Sequence, residues 1–239
     1  MNHKSARSNI PCESCASRQK SIFCDLNEEI LKDFDKNKIS NEYKKGSKLF
    51  VEGNPPFGLY CINRGKVKLS KIGQDGKESI LRIAGPGHVI GHRSLFSDEL
   101  YMADATALED AQICFIGKKL IFDLVKDHPS LSLKIIQTLS REMGEAEKKT
   151  TSHFQKNVRE RLAELLLALK ESYGIKEDNR FKLDIKLTRE EMASIIGTSP
   201  ETVIRQMTEF KDEKLIQQDS KVIYILDLER LTEMANLTF

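Results

Sequence analysis

No run of apolar residues in this 239-residue chain comes near the ~20 that a membrane-spanning helix needs, so neither a helical membrane protein nor a membrane partner is expected. Behind His3, Lys4 and Arg7 there is no apolar segment of the kind a secretory signal carries, which points to the cytoplasm. An excess of one charge is missing as well. The 38 Lys plus Arg and 36 Asp plus Glu leave +2, too little for bulk electrostatics to announce a nucleic-acid or membrane partner. Cysteine is sparse and odd in number, five in all, which argues against a disulfide framework in a chain without a signal. Finally, no G-x-S-x-G, P-loop, H-E-x-x-H or dinucleotide fingerprint occurs, so no catalytic residue is assigned and the protein is not expected to be an enzyme.

What is present is enough for one large or two ordinary soluble domains, with 39% hydrophobic and 31% charged residues. From Lys44 to about Ile116 short β-rich runs (48–52, 58–63, 66–72, 78–84, 106–108 and 112–116) alternate with Gly and Pro, the pattern of a sandwich or jelly-roll barrel. Asp75-Gly76 between two runs reads as a two-residue hairpin turn with both central residues at positive φ. After Lys118 the apolar period changes from two to about 3.6. A short helix to Lys126 and a break at His128-Pro129 precede a long helix that Ser130 could cap. On it Leu139, Met143, Ala146, Thr150 and His153 follow the 4-3-4-3 spacing of a two-stranded coiled-coil seam. Thr150 and His153 make that seam weak, as suits a dimer that is switched.

A second amphipathic helix, 157–173, leads to a compact block. Thr188 and Glu191 form a capping box. The short helix they open ends at Gly197, and Ser199-Pro200 starts another that buries Val203, Met207 and Phe210. With a hairpin over 215–226 this describes a winged helix-turn-helix. Residues 157–239 hold 13 Lys plus Arg and 16 Asp plus Glu, an unusual balance for a DNA module. Arg189, Arg205, Lys211, Lys214 and Lys221 nevertheless fall on or beside the second helix and the wing.

The order of parts resembles the Crp/Fnr superfamily of bacterial transcription regulators. Lys45-Gly46 before Leu49-Phe50, Arg64-Gly65-Lys66-Val67, and Gly197-Thr198-Ser199-Pro200-Glu201-Thr202-Val203-Ile204-Arg205 carry the resemblance. It implies an α+β chain: a cysteine-containing segment (1–24), a cyclic-nucleotide-binding-like jelly-roll β-barrel (25–128), a dimerisation helix (129–156) and a winged helix-turn-helix DNA-binding domain (157–239). The cyclic-AMP branch holds its nucleotide with a Gly-Glu and an Arg-Ser pair. Here His92 follows Gly91 and Met102-Ala103-Asp104 stands near the arginine's place, so no cyclic AMP is expected. Arg93 reads as a surface ion-pairing residue, and His88 and His92 as turn residues.

Cys12, Cys15 and Cys24 crowd into a Cys-x2-Cys-x8-Cys segment, a spacing that suggests ligation or redox chemistry. In the oxygen-sensing branch a cysteine trio at this place and one barrel cysteine, matched here by Cys114, ligate a [4Fe–4S] cluster. The eight-residue gap is longer than in the best-known member. Structural zinc, or no metal at all, remain the alternatives, with Cys61 read as core packing. The resemblance thus implies a homodimeric regulator that senses oxygen or nitric oxide. The alternative is a cluster-free regulator answering a small molecule or thiol redox state. Ser199, Glu201, Thr202 and Arg205, with Arg189, Lys214 and Lys221, are the expected DNA contacts. The operator is expected to be palindromic with T-G-A half-sites, and RNA polymerase is expected as a further partner.

Overall fold

The computed structural model describes residues 11–236. A loop with a 3-10 turn at Ala16–Lys20 leads into α1 (Glu28–Asn37), whose first turn is capped by Asn27 Oδ1 accepting from the Ile30 amide at 3.0 Å. The β region contains β1 (Ile39–Tyr43), β2 (Lys48–Phe50), β3 (Gly58–Arg64), β4 (Val67–Ile72), β5 (Glu78–Ala84) and β6 (Val89–Ile90). A short α2 (His92–Ser97) separates these from β7 (Asp104–Ala107) and β8 (Ala111–Gly117). They form two antiparallel four-stranded sheets, ordered β1-β8-β3-β6 and β2-β7-β4-β5. One apolar cluster contains Leu49, Ile62, Val67, Ile90, Ala105 and Ile113. Inward residues at two-residue intervals in β3 and β8, such as Leu59 with Ile116, help form a second cluster with Phe34 of α1. Helices α3 (Lys118–Asp127) and α4 (Pro129–Gln155) follow, and Ile121, Leu131 and Ile135 join that second cluster.

Several elements differ from the sequence reading. Strand β1, Ile-Ser-Asn-Glu-Tyr, was not expected, because only Ser40 of its five residues is buried; its pairing with β8 creates the strand. The hairpin between β4 and β5 has Gly76 alone at positive φ, +77°. Gly73 to Gly76 form the turn, with Asp75 Oδ1 accepting from the Lys77 amide at 3.1 Å, so it is longer than the two-residue turn expected. Helix α4 begins at Pro129, which puts Ser130 inside its first turn.

The chain divides into two compact units between Gly144 and Glu145, within α4. The second contains α5 (Val158–Tyr173), β9 (Gly174–Glu177), β10 (Arg180–Leu183), α6 (Arg189–Ile196), α7 (Pro200–Asp212), β11 (Ile216–Asp219), β12 (Val222–Ile225) and α8 (Leu228–Met234). Both expected N-terminal caps of the helix-turn-helix are present: the reciprocal Thr188–Glu191 box on α6, and Ser199 followed by Pro200 on α7. The unforeseen β9–β10 hairpin extends the wing to a four-stranded sheet, ordered β11-β12-β10-β9. No described helix is long and apolar enough to cross a membrane.

Candidate functional site

Two places concentrate chemistry, one in each unit. In the first, the loop before α1 lies on β3: the Ser17 hydroxyl donates to the Asn63 carbonyl at 2.6 Å, and the Cys15 thiol to Asn63 Oδ1 at 3.1 Å. Beneath it is a cavity lined by Cys12, Cys15, Cys61 and Cys114 with Lys38, Phe23 and Phe34. Cys61 and Cys114 are directly opposed in the β3–β8 pairing and so share one face of the sheet. The Lys38 ammonium, buried, donates to Cys12 Sγ at 3.0 Å and pairs with Asp35. Burial works to lower the Lys38 pKa, but its bonds to Asp35 and Cys12 outweigh it and hold the group above its ordinary value. Burial pushes the Cys12 thiol up to about 11 against the pull of Lys38. The same cause raises Cys61 and Cys114, so all three are neutral thiols near pH 7 in the absence of a metal.

Three of the four cysteines expected as ligands, Cys12, Cys15 and Cys114, therefore share this cavity. Cys24 does not line it. Its sulfur accepts from Lys134 of α4 at 2.6 Å, and Lys134 also pairs with Asp25 at 2.5 Å. Arg18 clasps both ends of the loop, donating to the Cys12 carbonyl at 3.0 Å and the Cys24 carbonyl at 2.9 Å. Cys61, read from sequence as core, is the fourth sulfur of the cavity. As they stand, no three His, Cys, Asp or Glu among the described residues come together closely enough to hold a metal ion. The chemistry of the donors fits an iron–sulfur group, for which four cysteines are the usual set; the cavity brings together three of the expected ligands and Cys61.

The phosphate-holding positions of a nucleotide site are differently employed. Asp104 pairs with Lys48 at 2.5 Å and accepts from the Glu52 amide at 2.8 Å. Arg93 pairs with Glu99 at 2.8 Å on the surface and His88 serves its own turn, both as expected. His92 is no turn residue. It opens α2, is buried, and meets Glu142 of α4 at 3.0 Å, where Arg82 also pairs with the carboxylate. Burial tends to raise the Glu142 pKa, yet His92 and Arg82 together hold it below its usual value.

In the second unit, α7 buries Val203, Gln206, Met207 and Phe210 and exposes Glu201, Ile204, Arg205 and Thr208. Ser199 and Thr202 are engaged with each other as cap and first turn, 3.2 Å between hydroxyls. Arg205 has no ion-pair partner among the described residues, and neither have Lys211, Lys214 and Lys221. Two acids at the C-terminal end of α7 are paired away from Arg205: Arg159 of α5 bonds Glu209 at 2.8 Å and also Glu213, just past the helix. That pairing takes two carboxylates out of the unit's negative total and leaves Arg205, Lys211, Lys214 and Lys221 as cations on α7, just after it and in the wing turn. Arg189 is half-buried and ties α6 to the wing through Gln218 at 2.5 Å, which gives this expected DNA contact a structural task.

Along α4, Leu139 packs on the core of its own unit. Met143, Ala146, Thr150 and His153 are exposed. The exposed side chains Leu133, Ile136, Ser140, Met143, Glu147, Thr150 and Phe154 repeat at 3-4-3-4-3-4, a register that shares only Met143 and Thr150 with the expected seam.

A two-sheet barrel, a long helix and a winged helix-turn-helix define a DNA-binding regulator as the class. The cyclic nucleotide-binding domain family matches residues 40–128 and the Crp-like helix-turn-helix domain family residues 160–234. Over 230 residues the chain is 27% identical to the fumarate and nitrate reduction regulatory protein of Vibrio cholerae, covering 96% of this chain and 92% of that one. It is 29% identical to a CRP-like cAMP-activated global transcriptional regulator of Mycobacterium tuberculosis, covering 81% and 87%. Among solved structures, a CRP/FNR-family transcriptional regulator of Thermus thermophilus superposes with a TM-score of 0.69 at 26% identity, covering 83% of this chain and 98% of the other. The chain belongs to the Crp/Fnr family of DNA-binding transcription regulators, which are not enzymes.

Proposed function

We propose that the protein is a homodimeric, sequence-specific transcription regulator of the cytoplasm that senses oxygen or nitric oxide at its cysteine cavity. The observation that carries the reading is the convergence of Cys12, Cys15 and Cys114 beneath a loop clasped by Arg18 and tied to α4 through Lys134. Relatives named as anaerobic and fumarate–nitrate regulators support it. Cys12, Cys15 and Cys114 would hold a [4Fe–4S] cluster together with a fourth cysteine, for which the family pattern offers Cys24 and the cavity offers Cys61. Such a group supplies a centre that oxidants degrade. The chain's own part is to transmit loop order: Arg18 keeps the two ends of the loop together, and Lys134 links Asp25 and Cys24 to the helix whose exposed face joins the partner. Any state that reorders the loop then biases dimerisation.

The output is α7 in the major groove. Glu201 and Arg205 lie one turn apart on one exposed face, suited to a cytosine amino group and to guanine O6 and N7 respectively, with Ile204 against a thymine methyl. A palindrome with T-G-A half-sites about one helical turn apart follows from two such helices, with RNA polymerase as the protein partner at promoters. The arginine that would hold a cyclic phosphate is absent and Asp104 is tied to Lys48, so cyclic AMP is not the signal. Protein prepared without air is expected to contain iron and sulfide in equal amounts and to enrich the palindrome from random duplexes. Iron-free protein that enriches it equally with and without air would leave DNA binding intact and remove the sensing proposal.

A further inference from the structure

The geometry points to Cys12, Cys15, Cys61 and Cys114 as the metal-ligating set of this protein, with Cys61 of β3 in place of Cys24. This inference rests on the cluster reading and names its ligands. Cys61 and Cys114 are opposed residues on neighbouring antiparallel strands, where side chains emerge on the same face with Cβ atoms ~4.5–5.5 Å apart. Two thiols at that spacing, on rigid strands, form half of a four-sulfur site before any loop is placed. The other half is the Cys12-x2-Cys15 turn, held over the same cavity by the bonds of Cys15 and Ser17 to Asn63, two residues beyond Cys61 on β3.

Cys24 is drawn the other way. It sits with Asp25 against Lys134 of α4, outside the cavity. Its nine-residue offset from Cys15 is used by the 3-10 turn Ala16–Lys20 and the return of the chain through Phe23, which is buried against Phe34 with ring centroids 4.9 Å apart. Bringing Cys24 to the sheet would pull Phe23 from that contact and part Lys134 from its two partners. Closing the Cys12–Cys15 turn onto Cys61 and Cys114 leaves those contacts in place and gives up the thiol bonds of Cys12 with Lys38 and of Cys15 with Asn63. The long second gap in the cysteine motif thus becomes intelligible: the third cysteine serves the contact with α4 and the barrel supplies two ligands.

The test uses full-length wild type, Cys61→Ser, Cys61→Ala and Cys24→Ser, each reconstituted without air with ferrous iron and sulfide. Iron and sulfide content and the visible absorption of the bound group are read, with circular dichroism to establish folding. Expected are a loss of at least about tenfold in bound iron and sulfide for both folded Cys61 variants and an unchanged content for Cys24→Ser. The two Cys61 substitutions guard against one of them failing to fold. Full loading of Cys61→Ala together with loss in Cys24→Ser overturns the assignment and leaves the cluster reading standing. Wild-type protein that takes up neither iron nor sulfide overturns both.

Discussion

Arg205 carries the most specific expectation at the scale of single residues. Its guanidinium is exposed and without an ion-pair partner among the described residues, whereas Glu209, the nearest acid a turn onward, is held by Arg159. Arg205→Ala is therefore expected to cost ~1–3 kcal/mol of operator binding and to relax preference at the guanine. Lys214→Ala and Lys221→Ala should weaken all sequences alike and flatten the salt dependence. Competition binding on matched and mismatched duplexes distinguishes the two patterns, and equal losses on every duplex for Arg205→Ala would remove it from base recognition. The sequence already displayed Arg205, because the cap at Ser199-Pro200 fixes where the helix starts and hence which residues face out. It did not display that Cys61 lines the cysteine cavity. A cysteine between Tyr60 and Ile62 looks like packing until the strand register sets it against Cys114, and register is a long-range property. His92 escaped for a related reason, since its partner Glu142 is fifty residues away.

Among the elements, the helix-turn-helix was legible almost residue by residue, since caps, proline and glycine act locally. Gly197 ends α6 at φ +67°, with its own amide and that of Thr198 both bonded to the Ala193 carbonyl. A Cβ there would meet the His153 ring at 3.0 Å. Gly197→Ala is expected to destabilise the protein by ~1–2 kcal/mol from the left-handed backbone alone, with the His153 contact adding to it. Urea unfolding followed through helix signal measures this, and a midpoint equal to wild type would contradict it. Strands β1, β9 and β10 were illegible because they are short and largely polar. Their neighbours rather than their own residues make them strands.

For the whole molecule, the proposed dimer rests on a face of α4. The sequence spacing marked one stripe, from Leu139 to His153, without showing what each residue packs against; Leu139 turns to its own core, and Leu133, Ile136 and Met143 are more than half exposed. Ile136→Glu is expected to lower the dimer association constant by at least about tenfold, a ~1.4 kcal/mol effect. Thr150→Leu, which adds apolar area at a position common to both stripes, is expected to raise it. Sedimentation equilibrium reads both, and an unchanged constant in Ile136→Glu would place the interface elsewhere.

The proposed link between cysteine cavity and recognition helix is tested most directly by fluorescence anisotropy on a duplex carrying the selected palindrome, with one preparation titrated before and after exposure to air. The loaded protein is expected to bind about 5- to 150-fold more tightly than the same protein after oxidation, the range of coupling free energies of ~1–3 kcal/mol. Equal affinities in the two states, in protein whose iron and sulfide are lost on oxidation, would contradict the account.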